Sequence, residues 1–333
     1  MAFPIVAPSF LREYVDMETP ENNAGKVRYV ISPHSVDYVL MLTNVDVAKR
    51  LIAETDTILY TMTYMSEADE KNFAENAKAL LARYPSMAAY WPIRQMMMYV
   101  LQFPDIELDR KLLILNYCLH SVTNMQAQYH ADLIPGFCQN MTHTTDFTEI
   151  FAYFKDLPVN PAVSAAEGVS LLKAVMSCAK ETDPNGAAKK FKKVYERVFK
   201  GLEVSGPETF NMLDMKTFIK LRMEYDRVYA LERPNIMENI MVNYLWAFAI
   251  PFTDPELSFW DNFTFYIELY NAIKVLIATT KPCDDDDLAN ILSAFDVALS
   301  EASKNNRIFK TVVTALKNQG TNNNGDLAVI TVS

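Results

Sequence analysis

The strongest constraint on this fold is helical periodicity, punctuated by capping signatures, in a chain that carries almost no glycine. Only eight glycines occur in 333 residues, and glycine is what tight hairpins and phosphate-cradling loops consume. The shortage points away from dinucleotide-binding and P-loop folds and toward helices. Ser66 with Asp69, Asp146 with Glu149, Ser164 with Glu167, Ser205 with Glu208 and Thr253 with Glu256 each set a capping side chain three residues before an acid. Each pair is a helix-start signature, in which the two side chains answer orphan N–H groups of the first turn. Pro92 is read as starting the helix that holds Met96 to Leu101, and a long helix is expected from Asp105 to about Ala131.

Further on, Ile236 to Ile250 is apolar on nearly every side, which predicts the buried centre of its lobe. An aromatic helix with Trp260, Phe263, Tyr266 and Tyr270 follows, then one with Leu288 to Leu299 and one with Ile308 to Leu316. The expected class is all-α, a two-lobed protein of roughly a dozen helices. Residues 1–25, with three prolines and a PENNAG run, read as an extended arm with a short helix at Phe10 to Val15. Residues 26–158 form the first lobe, with a strand at Lys26 to Ile31 and a helix start at Ser32 and Pro33. The LPVNP turn at Leu157 to Pro161 marks the boundary to a second lobe over 159–319. Residues 320–333 end as DLAVITVS, an alternating strand-like tail with no partner strand nearby in sequence.

Composition narrows the class of protein. Half the residues are hydrophobic and 22% are charged, as in a soluble globular protein. No stretch is long and apolar enough for a membrane span, and MAFPIVAPSF lacks the basic start of a secretory signal, so a cytoplasmic location is expected. Cys118, Cys138, Cys178 and Cys283 form no CxxC, which predicts reduced and mostly buried thiols.

The formal net charge is −10, yet Asp183 to Arg233 holds eleven basic against eight acidic side chains while its flanks stand at −7 and −6. Within this island, Ala188, Phe191, Val194, Tyr195 and Val198 share one side of a helix ending near Gly201. Lys189, Lys193 and Lys200 fall opposite, with Lys190 and Arg197 on the flanks. Lys189, Lys190, Lys193, Arg197 and Lys200, joined by Arg222 and Arg227, are therefore candidate contacts to a phosphate backbone. The plain alternative is a solvated helix face.

Two further clusters carry candidate chemistry. Asp284 to Asp287 resembles an Asp-rich magnesium motif, but four consecutive acids point around a helix, and they precede Leu288 where negative charge suits a helix N-terminus. Cys118, His120, His130, Cys138 and His143 have the side chains for zinc without the spacing, so no metal is expected. No nucleophile elbow, Walker loop or HExxH occurs.

These features lead to the expectation of a non-catalytic, self-assembling structural protein. Its most concrete form is an RNA-encapsidating nucleoprotein or viral coat protein. It would oligomerise through both terminal arms and bind single-stranded RNA, without cofactor or membrane insertion, in the cytoplasm or a viral particle. The alternatives are a helical enzyme acting on an isoprenoid or other phosphorylated small molecule through Asp284 to Asp287, and a helical protein-binding scaffold.

Overall fold

The computed structural model describes residues 4–8, 27–31, 36–40, 42–54, 60–64, 82, 89–103, 106–142, 149–150, 152, 161–206, 215–248, 250–254, 256–304, 308–312 and 314. The all-α class holds, with long helices making up most of these residues. The expected helices at 10–15 and 66–81, the start at Asp146, Glu208 of the box expected with Ser205, and the 320–333 tail lie outside the described residues.

The chain divides into two compact units, each assembled from non-contiguous segments. Unit 1 comprises Met1–Met41, Asp56–Lys155 and Glu238–Asn262; unit 2 comprises Leu42–Thr55, Asp156–Met237 and Phe263–Ser333.

Unit 1 begins with a small sheet of strands β1 (Pro4–Pro8), β2 (Val27–Ile31), β3 (Val36–Leu40) and β4 (Tyr60–Tyr64), in the order β2-β3-β1-β4. The strand expected at Lys26 to Ile31 is present. The helix expected after Pro33 is not, because the Val-Asp-Tyr-Val-Leu run of β3 pairs antiparallel with β2. β-branched and aromatic residues favour such a pleated pairing over a helix. β1 lies in the first 25 residues, read from sequence as an arm, and pairs within the chain with β3 and β4.

Helices α2 (Tyr90–Gln102), α3 (Leu108–Ala127) and α4 (Ile134–Met141) complete this unit together with most of α8 (Pro234–Ala247), while α1 (Val45–Ala53) belongs to unit 2. Buried cations organise its interior. Arg94 is fully buried, with its guanidinium 3.8 Å from the centre of the Trp246 ring and directed at the carbonyls of Leu245 and Ile250. Lys111 is equally enclosed; its Nζ donates to the Leu101 carbonyl at 3.0 Å and pairs with the buried Glu238 carboxylate.

Unit 2 contains α1 (Val45–Ala53), α5 (Pro161–Thr182), α6 (Ala187–Gly201), α7 (Met215–Tyr225), most of α9 (Phe259–Thr280) and α10 (Asp285–Ala302). Within it α10 packs on α6, α1 and α5. Every residue of α9 is buried, including Phe263, Phe265, Tyr266 and Leu269, so its apolar character extends all round rather than along one stripe. The helix starts later than Thr253 with Glu256 suggests. There Asp254 accepts from the Glu256 N–H, and its own N–H donates to Asn262 Oδ1, which holds the entry loop before the first turn.

Between α7 and α8, Asp226–Glu232 winds as a π-helix, which sequence periodicity did not indicate. Arg227 sits on it, salt-bridged to Glu224 and to Glu232, and the i, i+5 contact suits the wider turn. This segment stops at Glu232, and Pro234 begins α8, where its missing N–H costs nothing.

Candidate functional site

The basic helix α6 is built from its preceding turn. Asp183 receives the N–H groups of Gly186 at 3.0 Å and Ala187 at 2.8 Å, so one carboxylate satisfies two orphan donors and favours the positive end of the helix dipole. Ala187, Ala188, Phe191, Tyr195, Val198 and Phe199 are buried, as the periodicity requires. The large ones contribute roughly 1.5–3 kcal/mol each. The helix ends at Gly201, as expected, and glycine there also permits closeness, since a Cβ would lie 2.1 Å from the Thr279 carbonyl oxygen. The left-handed residue that ends the segment is Glu203, at φ 59°.

Packing sorts the cations of α6 between two flanks. Lys190 and Arg197 are seven residues apart and so share one side. Lys190 Nζ donates to Ser293 Oγ at 3.1 Å, with the Thr43 carbonyl at 3.5 Å. Arg197 holds both oxygens of Asp287, at 3.0 and 2.8 Å, and donates to the Lys281 carbonyl. Its hydrogen bonds keep the Asp287 carboxyl below the usual carboxylate range. These two candidates tie α6 to its neighbours within unit 2. Arg227 is likewise occupied by acids, and its hydrogen bonds lower the Glu224 carboxyl. The Arg222 side chain lies outside the described residues.

Lys189 and Lys200 lie on the other flank and line a groove of about 600 Å³. Lys180 of α5 and Lys192 join them, above a floor that includes Met176, Tyr195 and Phe199. Among the described residues Lys180, Lys189 and Lys200 have no ion-pair partner, and Lys192 has only Glu196, at 3.7 Å on an exposed surface. Lys193 is exposed but does not line the groove.

The acidic run is spent on structure. Asp284 caps α10 by accepting the Asp287 N–H at 2.8 Å, as the dipole argument anticipates. Asp285 pairs with Arg233, Asp286 with Lys49 and Asp287 with Arg197. With each acid committed, the run does not form the metal–diphosphate face that the isoprenoid-enzyme alternative needs.

Two buried acidic or thiol sites remain. Ser164 with Glu167 is not a capping box, because α5 already begins at Pro161. Glu167 lies inside the helix beside the fully buried Glu268 of α9, where Gly168 allows an approach so close that a Cβ would come 2.6 Å from the Asn271 carbonyl. Burial, and then the charge of Glu167, pushes the Glu268 carboxyl well above its ordinary value, and among the described residues its Oε1 has no hydrogen-bond partner. Sequence reasoning passed over Glu268, since one acid within an aromatic helix leaves no periodic signal. Cys118 and Cys138 are buried together, with the Cys138 thiol pushed up to about 12 by desolvation. His120 instead meets Asn124 and the edge of Trp260, His130 is exposed, and His143 lies outside the described residues. Cys283 is exposed, so three of the four thiols are buried. Among the described residues no helix is long and apolar enough to cross a membrane.

No curated protein and no solved structure matches the chain. Residues 94–330, however, match the family model of the FliB lysine N-methylase C-terminal domain. That match overturns the expectation of an RNA-encapsidating nucleoprotein, capsid or viral coat protein. The expectation rested on a cationic helix face, and packing commits Lys190 and Arg197 of that face to internal bonds. Because the match covers more than two thirds of its residues, the chain belongs to the FliB lysine N-methylase C-terminal domain family.

Proposed function

We propose that this chain takes part in the N-methylation of lysine side chains of a protein substrate in the cytoplasm. The observation that carries this reading is the family match over residues 94–330. Methyl transfer to lysine needs a neutral amine whose lone pair attacks the methyl carbon, yet a lysine in water is almost wholly protonated at neutral pH. An acceptor site therefore excludes stray cations and brings a base or a desolvating wall to the amine.

The α6 groove has the opposite character. Lys180, Lys189, Lys192 and Lys200 repel an incoming ammonium and equally a positively charged methyl donor. The residues present also do not fit a nucleotide-type donor site. Among the described residues the parallel pairing covers only Ile5 with Val36 and Val6 with Asp37, and no glycine-rich loop follows a strand. The part of the reaction that these residues support is the holding of substrate, by a cationic surface away from the transfer itself.

The reading is tested by deleting the gene in its source cell and comparing the proteome by mass spectrometry for ε-N-methyllysine. Loss of methylation from at least one protein, restored by re-expression, is the expected result. An unchanged set of methyllysines sinks the proposal.

A further inference from the structure

We propose that the groove between α5 and α6 docks an extended acidic segment of a protein. This deepens the methylation reading and rests on it for the partner's role as substrate, but the binding itself is argued from the groove.

Its cations are the ones that packing leaves over. On the α10 side of α6, Lys190 and Arg197 are tied to Ser293 and Asp287. On the groove side, Lys189 and Lys200 are exposed with no ion pair among the described residues, and Lys180 comes in from α5 in the same condition. Their spacing sets the size of the ligand. Lys189 and Lys200 are eleven residues apart, or about 16 Å along the helix axis at 1.5 Å per residue. An inorganic anion cannot bridge that distance, whereas about five residues of extended chain can, at roughly 3.3 Å each.

The floor decides between protein and nucleic acid. Single strands bind by stacking bases on free aromatic faces. Tyr195 and Phe199 are only 9% and 3% exposed, and their rings are already packed edge to face at 4.9 Å. They offer no platform for a base; what the groove presents to an extended acidic segment is its lysine rim, with the aliphatic stems of those lysines, over a nearly closed apolar floor. Among the described residues Glu196 is the one acid on the rim, and it competes for Lys192.

The probe is a fluorescein-labelled octapeptide of alternating Glu and Leu, titrated with the whole chain by fluorescence anisotropy in the absence of any methyl donor. The Gln–Leu counterpart and oligouridylate are run in parallel. The acidic peptide is expected to bind in a salt-sensitive way, and the Lys189→Glu, Lys200→Glu double variant to bind roughly tenfold more weakly, since exposed pairs are each worth a few tenths to 1 kcal/mol. Glu196→Gln should bind more tightly, and the exposed pair Lys216→Glu, Lys220→Glu on α7 should match the unaltered protein. Equal binding of the neutral peptide, an unaltered affinity in the groove variant, or displacement of the acidic peptide by oligouridylate at lower concentration overturns the proposal. Because the titration involves no methylation, its failure is distinguishable from a failure of the methylation reading.

Discussion

Replacing Glu238 by Gln tests how unit 1 tolerates a charge in its interior. Lys111 keeps 2% of its side-chain exposure and Glu238 keeps 10%, so the ion pair is made almost out of water. The Leu101 carbonyl, 3.0 Å from Lys111 Nζ, is a further acceptor. Removing the carboxylate charge leaves an ammonium enclosed by α2 and α3, and breaking such a pair costs about 3–5 kcal/mol. Lys111→Met strands the carboxylate and should cost a similar amount. The double variant Lys111→Met, Glu238→Leu removes both charges at nearly constant volume and should fall within about 1 kcal/mol of the unaltered protein. Urea unfolding followed by tryptophan fluorescence reads all four proteins, with midpoints for the single variants lowered by roughly 1 M or more. Singles that cost less than about 1 kcal/mol, or a double variant as destabilised as the two singles summed, would refute the reasoning, because a coupled pair cannot be additive.

Three other outcomes follow from unit 2 and the thiols. Gly201→Ala should lower the melting temperature by several degrees, from about 1–3 kcal/mol of overpacking against the Thr279 backbone, whereas Lys200→Ala leaves it unchanged. Glu268 binds its proton more tightly folded than unfolded, so its contribution to stability declines as pH rises from the ordinary glutamate range through the raised value. Glu268→Gln removes that decline, and its melting-temperature advantage should therefore grow with pH; parallel curves contradict it. In the native protein a disulfide reagent should modify Cys283 in a fast phase that Cys283→Ser abolishes, with Cys118, Cys138 and Cys178 reacting only on denaturation.

What sequence made legible was whatever repeats along one helix. The phase of α6 followed from Phe191, Tyr195 and Val198, and the burial of α8 from its all-round apolar run. What it hid was the identity of partners far along the chain. Arg197 and Asp287 are separated by 90 positions and Lys190 and Ser293 by 103, so no local pattern distinguishes a tied cation from an available one. Glu167 looked like a cap because its spacing from Ser164 fits one, while the helix had already begun at Pro161. Single charges within apolar helices, such as Arg94, Lys111 and Glu268, were lost for the same reason, since periodicity averages over the residue that breaks it. The π-helix was hidden because an extra residue per turn leaves no composition of its own.

A net charge of −10 taken alone would count against an anionic partner, and the structure explains why that sum is the wrong quantity. At physiological ionic strength, charges on the surface are screened beyond about 8 Å, so a ligand in the groove senses its rim and little else. The densest acidic segment, Asp284 to Asp287, is largely neutralised where it stands by Lys49, Arg197 and Arg233 and by its position at a helix N-terminus. Among the described residues the α6 groove keeps four lysines against Glu196. Acid and base are thus segregated within unit 2, with one set consumed in holding α10 to its neighbours and the other left facing water. A positive groove whose lysines span only about 16 Å of helix favours a ligand whose negative charge is confined to one short segment, because charge carried further along a long polyanion would meet none of these lysines.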